Sequence, residues 1–135
     1  MTATTLTGSH VTNNRSGEGA GLAVLAGPVT ITGGEISDNV ATGAGGGLLA
    51  PTGTAALTGV LLAENTAGEA GGGIFTDTGT VTLANVTLRE NGAASGGGAA
   101  ALTGTLSIQG GAFNGNTSTG AGAGVAAGGP LTISG

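Results

Sequence analysis

The sequence predicts an all-β fold, a single-stranded parallel β-solenoid of about five turns of 25–26 residues, without helices. Three observations predict it. An asparagine recurs at steps of 25 or 26 residues, a glycine-rich run follows each asparagine, and apolar residues recur in columns. Self-similarity at a fixed period of this size is typical of repeat architectures. The recurring asparagines are Asn14, Asn39, Asn65, Asn91 and Asn116.

The glycine-rich runs locate the variable part of each repeat. From the residue that ends a run to the next asparagine, the distance is 17 residues in every repeat. From the asparagine to the end of the following run it is 8 or 9 residues. We expect this second segment to be the loop, because loops absorb insertions. The runs end at Leu22, Leu48, Ile74, Ala99 and Val125.

The constant segments carry the strand pattern. Segments such as Val29–Thr32 and Leu106–Ile108 alternate apolar and polar residues with period two, which predicts short strands, three in each turn. No segment has the periodicity and caps of a helix. Turns stacked about 4.8 Å apart would align the apolar residues. Beside the residues that end the runs, the columns are Leu6, Ile31, Leu57, Leu83 and Ile108; Val11, Ile36, Leu62, Leu88 and Phe113; and Val29, Ala55, Val81 and Leu106.

The asparagine column is predicted to be a structural ladder. Asparagine tolerates left-handed backbone at bends, and its amide satisfies backbone groups there. Stacked amides also bond to the asparagine above and below. We therefore expect all five asparagines to point inward and to join successive turns.

Composition indicates one domain, residues 1–135, and excludes several partners. Apolar residues make up 39% of the chain, which favours collapse, and there is no cysteine. Net charge is −5 and the only basic residues besides His10 are Arg15 and Arg89, so nucleic acid is not an expected partner. No apolar run approaches the roughly 20 residues of a membrane helix, so no membrane insertion is expected. No cofactor is expected either.

Two landmarks resemble a known repeat. Units such as Leu62–Asn65 and Phe113–Asn116 resemble the FxxN half of the polymorphic outer membrane protein repeat of bacterial surface proteins, and runs such as Gly71–Ile74 resemble its GGAI half. The resemblance covers nearly the whole chain and implies a right-handed parallel β-helix, export, surface exposure and adhesin or passenger-type roles. Parallel crossovers are right-handed in most proteins, which agrees.

A column of polar residues precedes the asparagines and contains three acids, Asp38, Glu64 and Glu90. Stacked about 4.8 Å apart, they are the candidate for a metal site or for the carboxylates of a carbohydrate-active β-helix enzyme. Exposed acids are common at turns, so a solvated turn is the favoured interpretation. His10 has no second histidine or cysteine as a metal-binding partner. We expect no catalytic residues.

The outward positions of the middle strand form a second candidate surface, rich in threonine and free of charge. A regular threonine array on a solenoid resembles the surface of ice-binding β-helices, which makes ice binding an alternative function. The competing interpretation is that threonine suits exposed strand positions. The threonines are Thr5, Thr7, Thr30, Thr32, Thr54, Thr58, Thr80, Thr82, Thr105 and Thr132.

We therefore expect a non-enzymatic β-helix scaffold, extracellular or at the cell surface, that binds an unidentified protein or glycan ligand. The segment Met1–Gly8 has neither the basic segment nor the apolar run of a signal peptide. Both ends fall within a turn and show no cap. The chain is thus expected to be a fragment of a longer solenoid. Open strand edges also allow end-to-end self-association.

Overall fold

In a computed structural model, which describes residues 3–135, the chain winds through short strands separated by bends. The first two residues of the predicted domain lie outside the described part. In chain order the strands are β1 (Thr4–Thr7), β2 (His10–Thr12), β3 (Arg15–Ser16), β4 (Leu22–Ala23), β5 (Pro28–Thr32), β6 (Glu35–Ser37), β7 (Val40–Ala41), β8 (Leu48–Leu49), β9 (Thr54–Thr58), β10 (Leu61–Ala63), β11 (Thr66–Ala67), β12 (Ile74–Thr76), β13 (Thr80–Ala84), β14 (Thr87–Arg89), β15 (Gly92–Ala93), β16 (Ala99–Ala101), β17 (Thr105–Gln109), β18 (Ala112–Asn114), β19 (Thr117–Ser118), β20 (Val125–Ala127) and β21 (Leu131–Ser134).

Four parallel sheets run along the stack. Sheet A contains β1, β5, β9, β13, β17 and β21; sheet B contains β2, β6, β10, β14 and β18; sheet C contains β3, β7, β11, β15 and β19; and sheet D contains β4, β8, β12, β16 and β20. Each strand pairs with its equivalent one turn away. The predicted all-β parallel solenoid of about five turns is confirmed, and residues 3–135 contain no helix. The described residues accordingly include no helix with the length and apolarity to cross a bilayer.

The register matches the columns predicted from the sequence. In sheet A, Leu57 pairs with Ile31 on one side and Leu83 on the other. In sheet B, Leu62 lies between Ile36 and Leu88. These side chains are buried and form one continuous apolar core inside sheets A, B and D. One turn cannot bury this face by itself, so neighbouring turns stabilise each other.

Each turn contains four strands rather than the predicted three. The additional strand directly follows the ladder asparagine and is only two residues long, as in β7 and β11. Two residues are too few to show an alternating pattern, so the sequence gives no strand signal here. Its pairing instead follows from the ladder beside it, where the Thr66 N–H donates to the Asn39 carbonyl oxygen at 2.9 Å.

Left-handed backbone occurs beside the ladder, but the ladder asparagines themselves do not adopt it. The expectation that they would is wrong by one residue. Their backbone groups bond to neighbouring turns, so the preceding residue makes the bend. Positive φ occurs at Asn13 (60°), Asp38 (56°), Glu64 (56°), Glu90 (55°) and Gly115 (63°).

The glycine runs pack closely against the next turn of the solenoid. A Cβ atom on Gly46 would lie 2.6 Å from the Thr66 carbonyl oxygen, and one on Gly47 would lie 3.1 Å from the Asn65 amide. A run in one turn therefore packs directly on the asparagine and on sheet C of the next. Only glycine permits this approach of backbone to backbone.

A second apolar cluster lies on the outer face of sheet D. Leu49, Phe75 and Ala100 are paired residues of successive strands and point away from the main core, yet they are buried. The loop that precedes each glycine run folds back over them through Ala44 and Ala70. The paired apolar residues at the ends of the runs are the sequence signal of this cluster.

One buried hydroxyl has no partner. Thr76 is 1% exposed, and its Oγ1 makes no hydrogen bond to any described residue. It occupies an inward column in which its neighbours Ala50 and Ala101 belong to the apolar core. An unsatisfied buried hydroxyl is costly, whereas a methyl group of the same shape is not.

Thr76→Val is therefore expected to raise the free energy of unfolding by about 1 kcal/mol. Chemical denaturation followed by circular dichroism measures the change. Thr82→Val on the exposed face of sheet A is the matched control and should leave stability within about 0.5 kcal/mol. A loss of stability in Thr76→Val would mean that the hydroxyl has a bonding partner.

Candidate functional site

Sheet A presents the threonine-rich face. The threonines predicted to point outward lie on the solvent side of six parallel strands, and all are exposed except Thr105, which is half-buried. Their partners are fixed by the register: Thr5 lies beside Thr30, and Thr80 lies between Thr54 and Thr105. Spacing in such an array is about 4.8 Å between strands and about 7 Å along a strand.

The threonine face is uncharged but not uniform. Residues paired across the strands form rows (here called ranks) that run along the solenoid axis. The middle rank contains Thr30, Ala56, Thr82 and Ser107. In the next rank, Ala84 and Gln109 replace threonine. These departures interrupt the threonine array in the middle and later turns, where Gln109 is exposed.

The asparagines form the predicted ladder. Each of the first four side chains donates from Nδ2 to the Oδ1 of the asparagine one turn on, at 2.9–3.0 Å. Each Oδ1 that receives this bond also accepts the backbone N–H of the preceding asparagine. A second Nδ2 proton reaches a sheet B carbonyl one turn back; for Asn65 this is Ile36 at 2.8 Å. Asn39, Asn65 and Asn91 are fully buried, which identifies the column as structural.

The acidic column lies on the surface beside the ladder. Asp38, Glu64 and Glu90 are exposed and project from successive left-handed bends. Arg89 lies among them, with its guanidinium 3.8 Å from a carboxylate oxygen of Glu64 and 4.0 Å from one of Glu90. The Arg89 guanidinium therefore lies beside two of the three carboxylates of this column.

Metal-binding geometry is not found in residues 3–135, where no group of three or more histidine or acidic side chains is placed to hold an ion. His10 lies on β2 at the surface, and its Nδ1 is 3.6 Å from a carboxylate oxygen of Glu35 in the next turn. The imidazole is 69% exposed. An isolated exposed pair of this kind contributes little to stability.

Sequence reasoning missed a groove on the outer face of sheet D. It has a volume of about 380 Å³ and is lined mainly by small apolar residues, among them Ala100, Leu102, Ala121 and Val125. The groove forms because the outward side chain of sheet D changes from the large Phe75 to the small Ala100 in the next turn. The later turns therefore lack the side chain that would fill this space. The step from phenylalanine to alanine in the sequence is the signal that could have revealed it.

Comparison of the chain with protein-family models, with curated proteins and with solved structures found no match. The fold therefore rests on the register of the four sheets and on the asparagine ladder, and any function must be argued from the surfaces described above.

Proposed function

We propose that this chain is a non-enzymatic scaffold, a stalk segment of an extracellular or cell-surface protein of the adhesin or passenger type. The observation that carries the proposal is the continuous ladder of buried asparagines, bonded from Asn14 to Asn116 through every turn. The side chains that join the turns can stay the same while the outward side chains change. This separation of interior from exterior suits a rod that presents a ligand-binding surface.

Three further features support a scaffold. The core and the ladder use inward positions, so the outward positions of sheet A are free to vary. Net charge is −5 with 7% charged residues, which leaves broad uncharged faces suited to a protein or glycan surface. The repeat units resemble those of polymorphic outer membrane proteins, which are displayed outside the cell.

Surface display tests the proposal. The chain is placed between an export signal and a membrane anchor, with an epitope at its distal end, and is compared with a flexible Gly/Ser linker of the same length. We expect the folded chain to hold the epitope at a defined height, to resist protease, and to increase adhesion to glycan-coated or protein-coated surfaces. A flexible linker collapses to a coil, so equal epitope height and equal adhesion in both would contradict a stalk.

Ice binding is the second candidate, favoured by one observation. Sheet A carries outward threonines on six parallel strands, exposed on five of them, with no charged side chain at the outward positions of residues 28–109. A regular, uncharged array of hydroxyl and methyl groups can order water in a repeating pattern, which is why this face is a candidate. The alanine and glutamine interruptions are the reason that this function ranks second.

Thr82→Lys is expected to abolish any thermal hysteresis and any inhibition of ice recrystallisation by the chain, because a lysine rises above the centre of the face. Thr66→Lys is the matched control, since Thr66 is an exposed threonine on sheet C. Activity should survive in the control and be lost in the sheet A variant. Negligible activity in the unmodified chain would eliminate ice binding and leave the scaffold proposal untouched.

A further inference from the structure

Two asparagines in this chain are followed by glycine, and the structure places them in opposite environments. They are Asn91, before Gly92, and Asn114, before Gly115. In an Asn-Gly pair the backbone nitrogen of the glycine attacks the side-chain amide most readily, because glycine has no Cβ to hinder the approach. Both pairs are therefore chemically competent, and local structure decides which one reacts.

Hydrogen bonds restrain both the Asn91 side chain and the backbone nitrogen of Gly92. Its side chain is fully buried, and its Nδ2 donates to the Leu62 carbonyl oxygen at 2.9 Å and to Asn116 Oδ1 at 3.0 Å. Its Oδ1 accepts from the backbone and side chain of Asn65. The nucleophile is occupied too, since the Gly92 N–H donates to the Asn65 carbonyl oxygen at 2.9 Å.

The Asn114 side chain lacks the restraints that hold the Asn91 side chain. It ends β18, and its exposed side chain makes no hydrogen bond within residues 3–135, whereas its carbonyl oxygen accepts the Glu90 N–H at 2.9 Å. Gly115 has a φ of 63° and is exposed, so the bend that follows the strand places the Asn114–Gly115 peptide at the surface.

We propose that Asn114 is a site of spontaneous deamidation and that the ladder protects Asn91 from the same reaction. The Gly115 nitrogen forms a bond to Asn114 Cγ, the Cγ–Nδ2 bond breaks, and ammonia leaves with the glycine proton. Water then opens one of the two imide bonds of the resulting succinimide. The product is an aspartyl or isoaspartyl residue at position 114, with one additional negative charge.

The new charge would fall beside a cation. Asn114 pairs across the sheet with Arg89, whose guanidinium already lies near Glu64 and Glu90. The modification is independent of the proposed scaffold role, and it would alter the charge of one exterior corner of the solenoid as the protein ages.

The test follows deamidation at each asparagine by peptide mass mapping after incubation at mildly alkaline pH. In the folded chain, Asn114 should react about a hundredfold faster than Asn91, since Asn91 must first lose several buried hydrogen bonds. In concentrated urea the two rates should become similar. Equal rates in the folded chain, or an unmodified Asn114 under conditions in which both react in urea, would overturn the proposal.

Two variants complete the experiment. Asn114→Gln should remove the signal from that peptide while Asn91 behaves as before. Gly115→Asn keeps a residue that accepts this bend, because Asn13 occupies the equivalent position with a φ of 60°. Its side chain hinders attack, so deamidation at Asn114 should slow severalfold with an unchanged circular dichroism spectrum. An unchanged rate in that variant would contradict attack by the backbone nitrogen of residue 115.

Discussion

Gly72→Ala is expected to lower the free energy of unfolding by about 3 kcal/mol or more, since overpacking at a rigid site is among the costlier substitutions. A Cβ atom on Gly72 would lie 2.5 Å from the carbonyl oxygens of Gly92 and Gly97 and 2.7 Å from the Gly92 nitrogen. All three are backbone atoms, so no side-chain rotation relieves the contact. The next turn would have to move away, and hydrogen bonds of two sheets would lengthen.

Urea denaturation followed by far-ultraviolet circular dichroism measures this loss. Gly17→Ala is the matched control, because a Cβ there meets nothing within 4 Å and the residue does not have positive φ. Replacing such a glycine reduces the freedom of the unfolded chain, so the control should be neutral or more stable by about 0.4–1 kcal/mol. Identical midpoints for the two variants would show that the turns are not in direct backbone contact at residue 72.

Asn65→Ala is expected to destabilise the protein by about 3 kcal/mol, because it leaves several buried groups unpaired at about 1–3 kcal/mol each. Asn65 is fully buried. Its Nδ2 donates to the Ile36 carbonyl oxygen at 2.8 Å, and its Oδ1 accepts the Asn39 N–H at 3.2 Å. Alanine removes both bonds together with the two amide contacts to neighbouring rungs of the ladder.

The control for this prediction is Asn14→Ala at the first rung. Asn14 is exposed, and it bonds to Asn39 Oδ1 and to the Thr12 carbonyl oxygen. Water can replace these partners, so the loss should stay below about 1 kcal/mol. Thermal melting of both variants compares the two positions. Equal losses would mean that burial of the ladder contributes nothing to its strength.

The features that could be predicted from the sequence are the columns in which a large apolar side chain or an asparagine recurs once in each turn. Leu57, Leu62 and Ile74 occupy inward positions because each recurs in register with similar residues one period away, and a solenoid aligns equivalent positions. The ladder followed from the same periodicity. The alternation of outward threonines with buried residues in sheet A follows from the same strand geometry, since a side chain two residues away lies on the same face of a strand.

Periodicity did not predict the features that depend on local backbone conformation or on contacts between a loop and a sheet. The two-residue strand at Val40–Ala41 has no alternation to reveal it. Left-handed conformation falls on Glu64 and Glu90, residue types that give no indication of it. The outer cluster around Phe75 depends on a loop that folds back over sheet D. The position of Arg89 beside two carboxylates follows from side-chain conformation rather than from spacing.

The hydrogen bonds that join the rungs of the ladder all connect residues 25–29 positions apart in the chain. Closing each additional coil therefore costs about the same loop entropy, however long the polypeptide becomes. Growth or shrinkage by one complete period preserves every interface, as nearest-neighbour stacking requires. Removal of half a period would instead set leucine columns against polar bends. Gene duplication and recombination can thus change the length of such a protein only in whole coils.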